Sequence, residues 1–140
     1  MDIQASAPAL SAAVYTDPNT YAQTRERIFF RTWQYVCHES QIPEIGDYHA
    51  FCLLDQDLFI IRGRDQALRC FYNVCQHRAH PLVEGTGRTR TLICPYHAWS
   101  YELDGGLRGA PGSHRMPDFR RDTICLTGVR LETFLGFVFV

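Results

Sequence analysis

Apolar and polar residues change period once along this chain, near Gly46. Before that point, residues 1–14 are rich in Ala and Ser without amphipathic period, which predicts a loose arm. Asp17-Pro18 then opens a helix, with Asp17 as N-cap and Pro18 at the first helical position. Tyr21, Ile28, Phe29 and Trp33 fall near one face, while Arg25, Glu26 and Arg27 solvate the rest, and the helix is expected to end near Thr32. After Gly46 the pattern becomes that of strands. Residues 48–54 and 58–62 read as a hairpin across Asp55-Gln56-Asp57, and Gly63-Arg64-Asp65-Gln66 turns the chain into a strand over 68–74. A β-rich run follows over 89–94, then a strand end and tight turn over 101–106. Gly and Pro scattered through 109–123 predict loop, and strands over 129–133 and 137–140 close the chain. The class is mainly β, built of antiparallel sheets, with an N-terminal helix.

Composition narrows the function classes more than the fold. A length of 140 residues predicts one domain, and 46% apolar with 21% charged residues is ordinary for a globular protein. The formal net charge of −1 gives no electrostatic reason to expect nucleic acid or an anionic membrane as partner. No apolar run approaches the roughly 18 residues of a membrane-spanning helix. Residues 1–11 hold Asp2 and lack the positive region of a secretory signal, so the expected compartment is the cytoplasm. Of the six cysteines, Cys37, Cys52, Cys70 and Cys125 lie in or beside apolar runs and read as small buried hydrophobes. Cys75 and Cys94 each have a histidine at short range.

Those two cysteines define the candidate chemistry. Cys75-Gln76-His77 and Cys94-Pro95-Tyr96-His97 each offer one thiolate and one imidazole at the end of a β run, with sixteen residues between His77 and Cys94. Two readings fit. A Rieske-type [2Fe–2S] centre takes two cysteines on one iron and two histidines on the other, so each loop reaches both irons. A structural zinc site takes the same four residues tetrahedrally, as in a zinc-ribbon interaction module, though zinc fingers group cysteines and histidines separately. His38, His49, His80 and His114 read as structural.

The wording around the pairs goes further. Asn73-Val74-Cys75-Gln76-His77-Arg78-Ala79-His80-Pro81-Leu82 and Cys94-Pro95-Tyr96-His97-Ala98-Trp99-Ser100-Tyr101 resemble the cluster loops of Rieske non-haem iron oxygenases. These are the α subunits of ring-hydroxylating dioxygenases and their demethylase relatives. Phe30-Arg31-Thr32-Trp33-Gln34-Tyr35 and Phe134-Leu135-Gly136-Phe137 resemble the family's flanking stretches, so the likeness covers roughly residues 15–140. The loop wording is most similar to the branch acting on choline, betaine and carnitine.

The resemblance implies a Rieske domain over 15–140, with Cys75, His77, Cys94 and His97 as ligands of one [2Fe–2S] cluster. It implies an NADH-dependent reductase or ferredoxin as electron donor, an oxygenase catalytic domain as acceptor and a homotrimer in the whole protein. The family's mononuclear Fe(II) is held by two histidines and a carboxylate, a grouping not found here, so the catalytic domain is expected to lie beyond Val140. The 140 residues are therefore expected to transfer electrons without oxidising a substrate. A free-standing Rieske ferredoxin is the alternative. The apolar run Leu135-Gly136-Phe137-Val138-Phe139-Val140, taken as an unpaired edge, speaks against that. Respiratory Rieske proteins resemble a different pattern, with a disulfide between the loops, Ser two residues after the second histidine and Tyr four after. Trp99 and Tyr101 occupy those places, so one hydroxyl donor is missing and packing by Trp99, Pro95 and Pro81 must replace the disulfide.

Overall fold

The computed structural model describes residues 9–140, and the chain divides after Gln34 into two compact units. In the first, Ala13–Thr16 (α1) makes a single helical turn and Pro18–Arg27 (α2) a longer helix. The arm expected over 1–14 lies mostly outside the described residues, and its described end is partly helical. Asp17 caps α2 as expected: its carboxylate accepts from the Asn19 and Thr20 amides at 3.1 and 3.2 Å. Those bonds, the Asn19 amide first, pull the Asp17 carboxyl below its ordinary pKa. The helix stops at Arg27 rather than near Thr32, and Phe29–Arg31 forms a 3-10 turn. Ile28-Phe29-Phe30 are poor helix formers in succession, and the Ile28 carbonyl accepts the Arg31 amide at 2.9 Å, closing the 3-10 turn, and the Thr32 hydroxyl at 3.0 Å.

The second unit is antiparallel β. Its central sheet joins Asp47–Leu53 (β2), Gln56–Arg62 (β3), Leu68–Tyr72 (β4), Thr86–Arg88 (β5) and Gly128–Val129 (β9) in the order β5-β2-β3-β4-β9. Strand β3 is buried on both faces, and its alternation separates two cores. Phe59 and Ile61 point into one with Phe71, Leu92, Tyr101 and Leu103, while Leu58 and Ile60 point into the other with Cys37, Cys70 and Val138. A three-stranded sheet, Tyr35–His38 (β1), Phe137–Phe139 (β11) and Glu132–Phe134 (β10), covers the second core. A third sheet of Leu92–Ile93 (β6), Ser100–Tyr101 (β7) and Leu107–Gly109 (β8) belongs to the first.

Several boundaries differ from the sequence reading. The first hairpin turns on Leu54-Asp55, since Leu53 pairs with Gln56, and Leu54 takes a left-handed φ of 62°. The run over 89–94 holds only the two-residue strand β6, with β5 lying before it, and the run over 129–133 is divided between β9 and β10 in different sheets. Strand β1, only four residues long, is too short to show a period. The terminal apolar run is not an unpaired edge: β11 is the middle strand of its sheet, and Val138 is fully buried. Its hydrophobicity follows from that position. Leu135-Gly136 forms the tight β10–β11 turn with φ of 50° and 82°, both left-handed as a two-residue hairpin requires. Cys37 and Cys70 are buried as expected, but Cys52 and Cys125 are exposed; β2 alternation places Cys52 outward, opposite Asp57. No helix among the described residues is long and apolar enough to cross a membrane.

Candidate metal centre

Two loops leave the β structure beside the first core and share one backbone design. In the first, the Cys75 amide donates to the His80 carbonyl at 2.9 Å and the Ala79 amide returns to the Cys75 carbonyl at 2.9 Å. In the second, Cys94 donates to Trp99 at 2.8 Å and Ala98 returns to Cys94 at 3.0 Å. Ala79 and Ala98, each four residues beyond its cysteine, take left-handed φ of 54° and 56°. That conformation is unusual for a residue with a Cβ and turns each loop back on its own cysteine.

The loops place the four sequence-predicted residues in two layers. Cys75 and Cys94 are each 2% exposed and belong to the first core. His77 and His97 stand at the surface with ring centroids 4.7 Å apart at 72°. Loss of hydration, then the neighbouring His77 ring and Arg78, lowers the His97 pKa. This favours the neutral imidazole that binds metal. Among the described residues, no three His, Cys, Asp or Glu side chains are grouped to hold a single metal ion. A tetrahedral zinc site asks four ligands to meet at one point, whereas a two-iron cluster asks two at each iron. The donor set and its layering fit the cluster.

The surroundings hold the loops by packing and hydrogen bonds, with all six cysteines free. The Trp99 indole lies parallel to the His77 ring, centroids 4.7 Å apart at 8°, and Phe119 meets the indole edge-on at 5.7 Å. Pro81 and Pro95, also expected to pack the site, are exposed. Tyr101, fully buried, places its hydroxyl 3.2 Å from Cys75 Sγ and accepts the Gln76 amide at 3.0 Å. Burial raises the Tyr101 phenol well above its ordinary pKa. The four other histidines stay out of the centre. His38 accepts the Ser40 amide at 3.2 Å, His49 stacks on Phe51, His80 contacts the Pro81 carbonyl at 2.7 Å, and His114 lies in an exposed turn.

Sequence reasoning missed Asn73. Its side-chain oxygen accepts the Leu82 and Val83 amides at 2.8 and 3.2 Å, and its nitrogen donates to the Val83 carbonyl at 2.7 Å. It therefore ties the segment entering the first loop to the segment leaving it. The signal available was one amide side chain in an otherwise apolar approach, Phe71-Tyr72-Asn73-Val74-Cys75. Phe119, in edge-on contact with Trp99, lay in a stretch read only as loop.

Known proteins share this fold. The sequence model of the Rieske [2Fe–2S] domain matches residues 32–120. The carnitine monooxygenase oxygenase subunit of Escherichia coli (strain K12) is 40% identical over 132 residues, covering 94% of this chain and 35% of that protein. The 2-aminobenzenesulfonate 2,3-dioxygenase subunit alpha of an Alcaligenes species is 38% identical over 140 residues, covering 97% and 36%. Among solved structures, the quaternary ammonium Rieske monooxygenase CntA in complex with L-carnitine superposes with a TM-score of 0.86 at 36% identity, over 91% of this chain and 36% of that one. Naphthalene 1,2-dioxygenase from a Rhodococcus species gives 0.86 at 31% identity, over 91% and 30%. The chain thus spans about a third of the length of these curated relatives.

Proposed function

The chain belongs to the Rieske [2Fe–2S] domain family, and from that premise we propose that it relays single electrons within an oxygenase α subunit. The observation that carries this reading is the pairing of the loops, which places two thiols in the core and two adjacent imidazoles at the surface. Cys75 and Cys94 would hold the inner iron, and His77 and His97 the outer. Bound there, the cluster supplies one-electron storage. The protein's share is to bury the sulfur side away from water and to present the histidine edges to a partner. With Cys75 as a thiolate ligand, Tyr101 would donate toward its sulfur, and Asn73 fixes the first loop.

The partners follow from the same reading. An NADH-dependent reductase or ferredoxin donates the electron, and the mononuclear-iron catalytic domain of an oxygenase accepts it. A homotrimer accords with the inter-subunit electron transfer associated with CntA. Carnitine and glycine betaine oxygenase subunits among the relatives favour a small quaternary ammonium substrate over an aromatic one, though aromatic dioxygenases match too. Six free thiols accord with a reducing cytoplasm.

Iron and sulfide analysis of anaerobically purified protein tests the reading. We expect two irons and two acid-labile sulfides per chain, a reduced spectrum of low average g with two nitrogen couplings, and reduction by an NADH-dependent reductase. One zinc and no sulfide would sink it.

A further inference from the structure

Trp99 touches both loops at once. Its carbonyl accepts the Cys94 amide at 2.8 Å in its own loop, and its indole covers the His77 ring of the other. Among the described residues, the ring contacts of His77 are two: His97, the other proposed outer ligand, and Trp99. The indole is held in turn by an edge-on contact with Phe119, and both pack against the first core. His77 is exposed, so this stacked face constrains an imidazole that solvent would otherwise leave free to turn. The face is also electron-rich, and an aromatic face within about 6 Å of a positive group attracts it. An imidazole on ferric iron is more positive than the same imidazole on ferrous iron.

We propose that Trp99 is a positioning residue for electron transfer, which sets the plane of the His77 ring and lowers the reduction potential by favouring the oxidised form through its stacked indole. This rests on the assignment of His77 as an iron ligand. It assigns to one side chain the cross-loop tie that no disulfide makes here, and adds an electronic consequence that a disulfide would not have.

The full chain, loaded with its cluster, is compared with W99F, W99L and F119L by potentiometry and electron-nuclear resonance of the nitrogen couplings. W99L, which keeps an apolar side chain but loses the aromatic face, should raise the potential by about threefold in the redox equilibrium constant, ~28 mV for a one-electron couple. It should also broaden one of the two nitrogen couplings. W99F keeps a smaller face and should lie between W99L and the natural protein. F119L leaves both loops intact and loosens only the edge-on contact, so it should shift the same coupling and the potential in the same direction by less; it decides the matter if W99L loses the cluster. Lower stability with unmoved potential and couplings in both F119L and W99F would overturn the proposal and leave Trp99 a packing residue. Absence of two nitrogen couplings in the unsubstituted protein would instead overturn the ligand assignment itself.

Discussion

The Tyr101 hydroxyl stands 3.2 Å from Cys75 Sγ while it accepts the Gln76 amide hydrogen at 3.0 Å. Burial keeps the phenol protonated, and a Cys75 thiolate bound to iron has no proton to give, so the hydroxyl proton would be directed at the sulfur. A donor to a ligand sulfur stabilises the more negative, reduced state, and so raises the potential. Of the two hydroxyl donors that respiratory Rieske proteins carry, this chain replaces one by Trp99 and keeps the other as Tyr101. The potential should therefore sit near the low end of the Rieske range, about −150 mV. Removing the remaining donor in Tyr101→Phe forfeits about 1 kcal/mol in the reduced state, lowering the potential by about 40 mV. Protein-film voltammetry measures this, and an unmoved potential would show that the hydroxyl does not donate.

Asn73 carries a structural load out of proportion to its single side chain. It is 6% exposed and satisfies two amides and one carbonyl on the far side of the first loop. Asn73→Leu, with the same number and branching of side-chain heavy atoms, leaves those three largely buried groups without their side-chain partner. The expected cost is about 3 kcal/mol of stability in the cluster-loaded protein, since each buried unsatisfied group costs roughly 1–3 kcal/mol and relaxation recovers part. Urea unfolding reads it out, together with faster iron loss to a chelator. A midpoint within error of the natural protein would mean that water replaces the amide.

What the sequence disclosed and what it hid follow different physics. The centre was legible because its chemistry is local: Cys75 with His77 and Cys94 with His97 lie within four residues of each other. The central hairpin was legible because β2 and β3 are each seven residues long, and β3 runs apolar over Leu58, Phe59, Ile60 and Ile61. The joins were not. Strand β9 is two residues long and β10 three, so neither shows a period, and only pairing with β4 and β11 separates them. The terminal run read as an edge because burial between β1 and β10 is a property of topology, not of its own residues. Asn73 and Phe119 were hidden for the same reason, since their partners lie at Leu82, Val83 and Trp99.

Gly46 marks where strand β2 begins, and its hydrogen is required there. Its φ is +85°, and an added Cβ would collide with the Thr89 carbonyl oxygen, backbone that cannot step aside. Its amide donates to the Arg62 carbonyl at 2.8 Å and its carbonyl accepts the Thr89 amide at 3.0 Å, so the site cannot open without breaking both. Gly46→Ala should cost at least about 2 kcal/mol, the left-handed penalty of roughly 1–2 kcal/mol plus the clash. Thermal unfolding is the measurement, and a variant as stable as the natural protein would show that β5 can shift relative to β2.

The same edge of the sheet sets an acid limit on stability. Asp47, 8% exposed, accepts two bonds from the Arg88 guanidinium and, through Oδ2, the Glu44 amide at 2.9 Å. The Arg88 bond is the largest influence on the carboxyl and lowers its pKa, outweighing the loss of hydration that would raise it. A carboxyl lowered in the folded state stabilises that state above its unfolded pKa of about 3.9. That contribution fades as pH falls from about 4 through the lower folded value. Asp47→Asn removes the titrating group, so it should be less stable than the natural protein at pH 7, and the gap should close as the pH is taken down through that window. Arg88→Gln, which leaves the carboxylate with only the Glu44 amide and the more distant Arg62 charge, should move the acid limb of the curve to higher pH. Urea midpoints from pH 7 to pH 2.5 give the comparison. Stability curves that run parallel across that range would show that the pair β2–β5 contributes nothing through this charge.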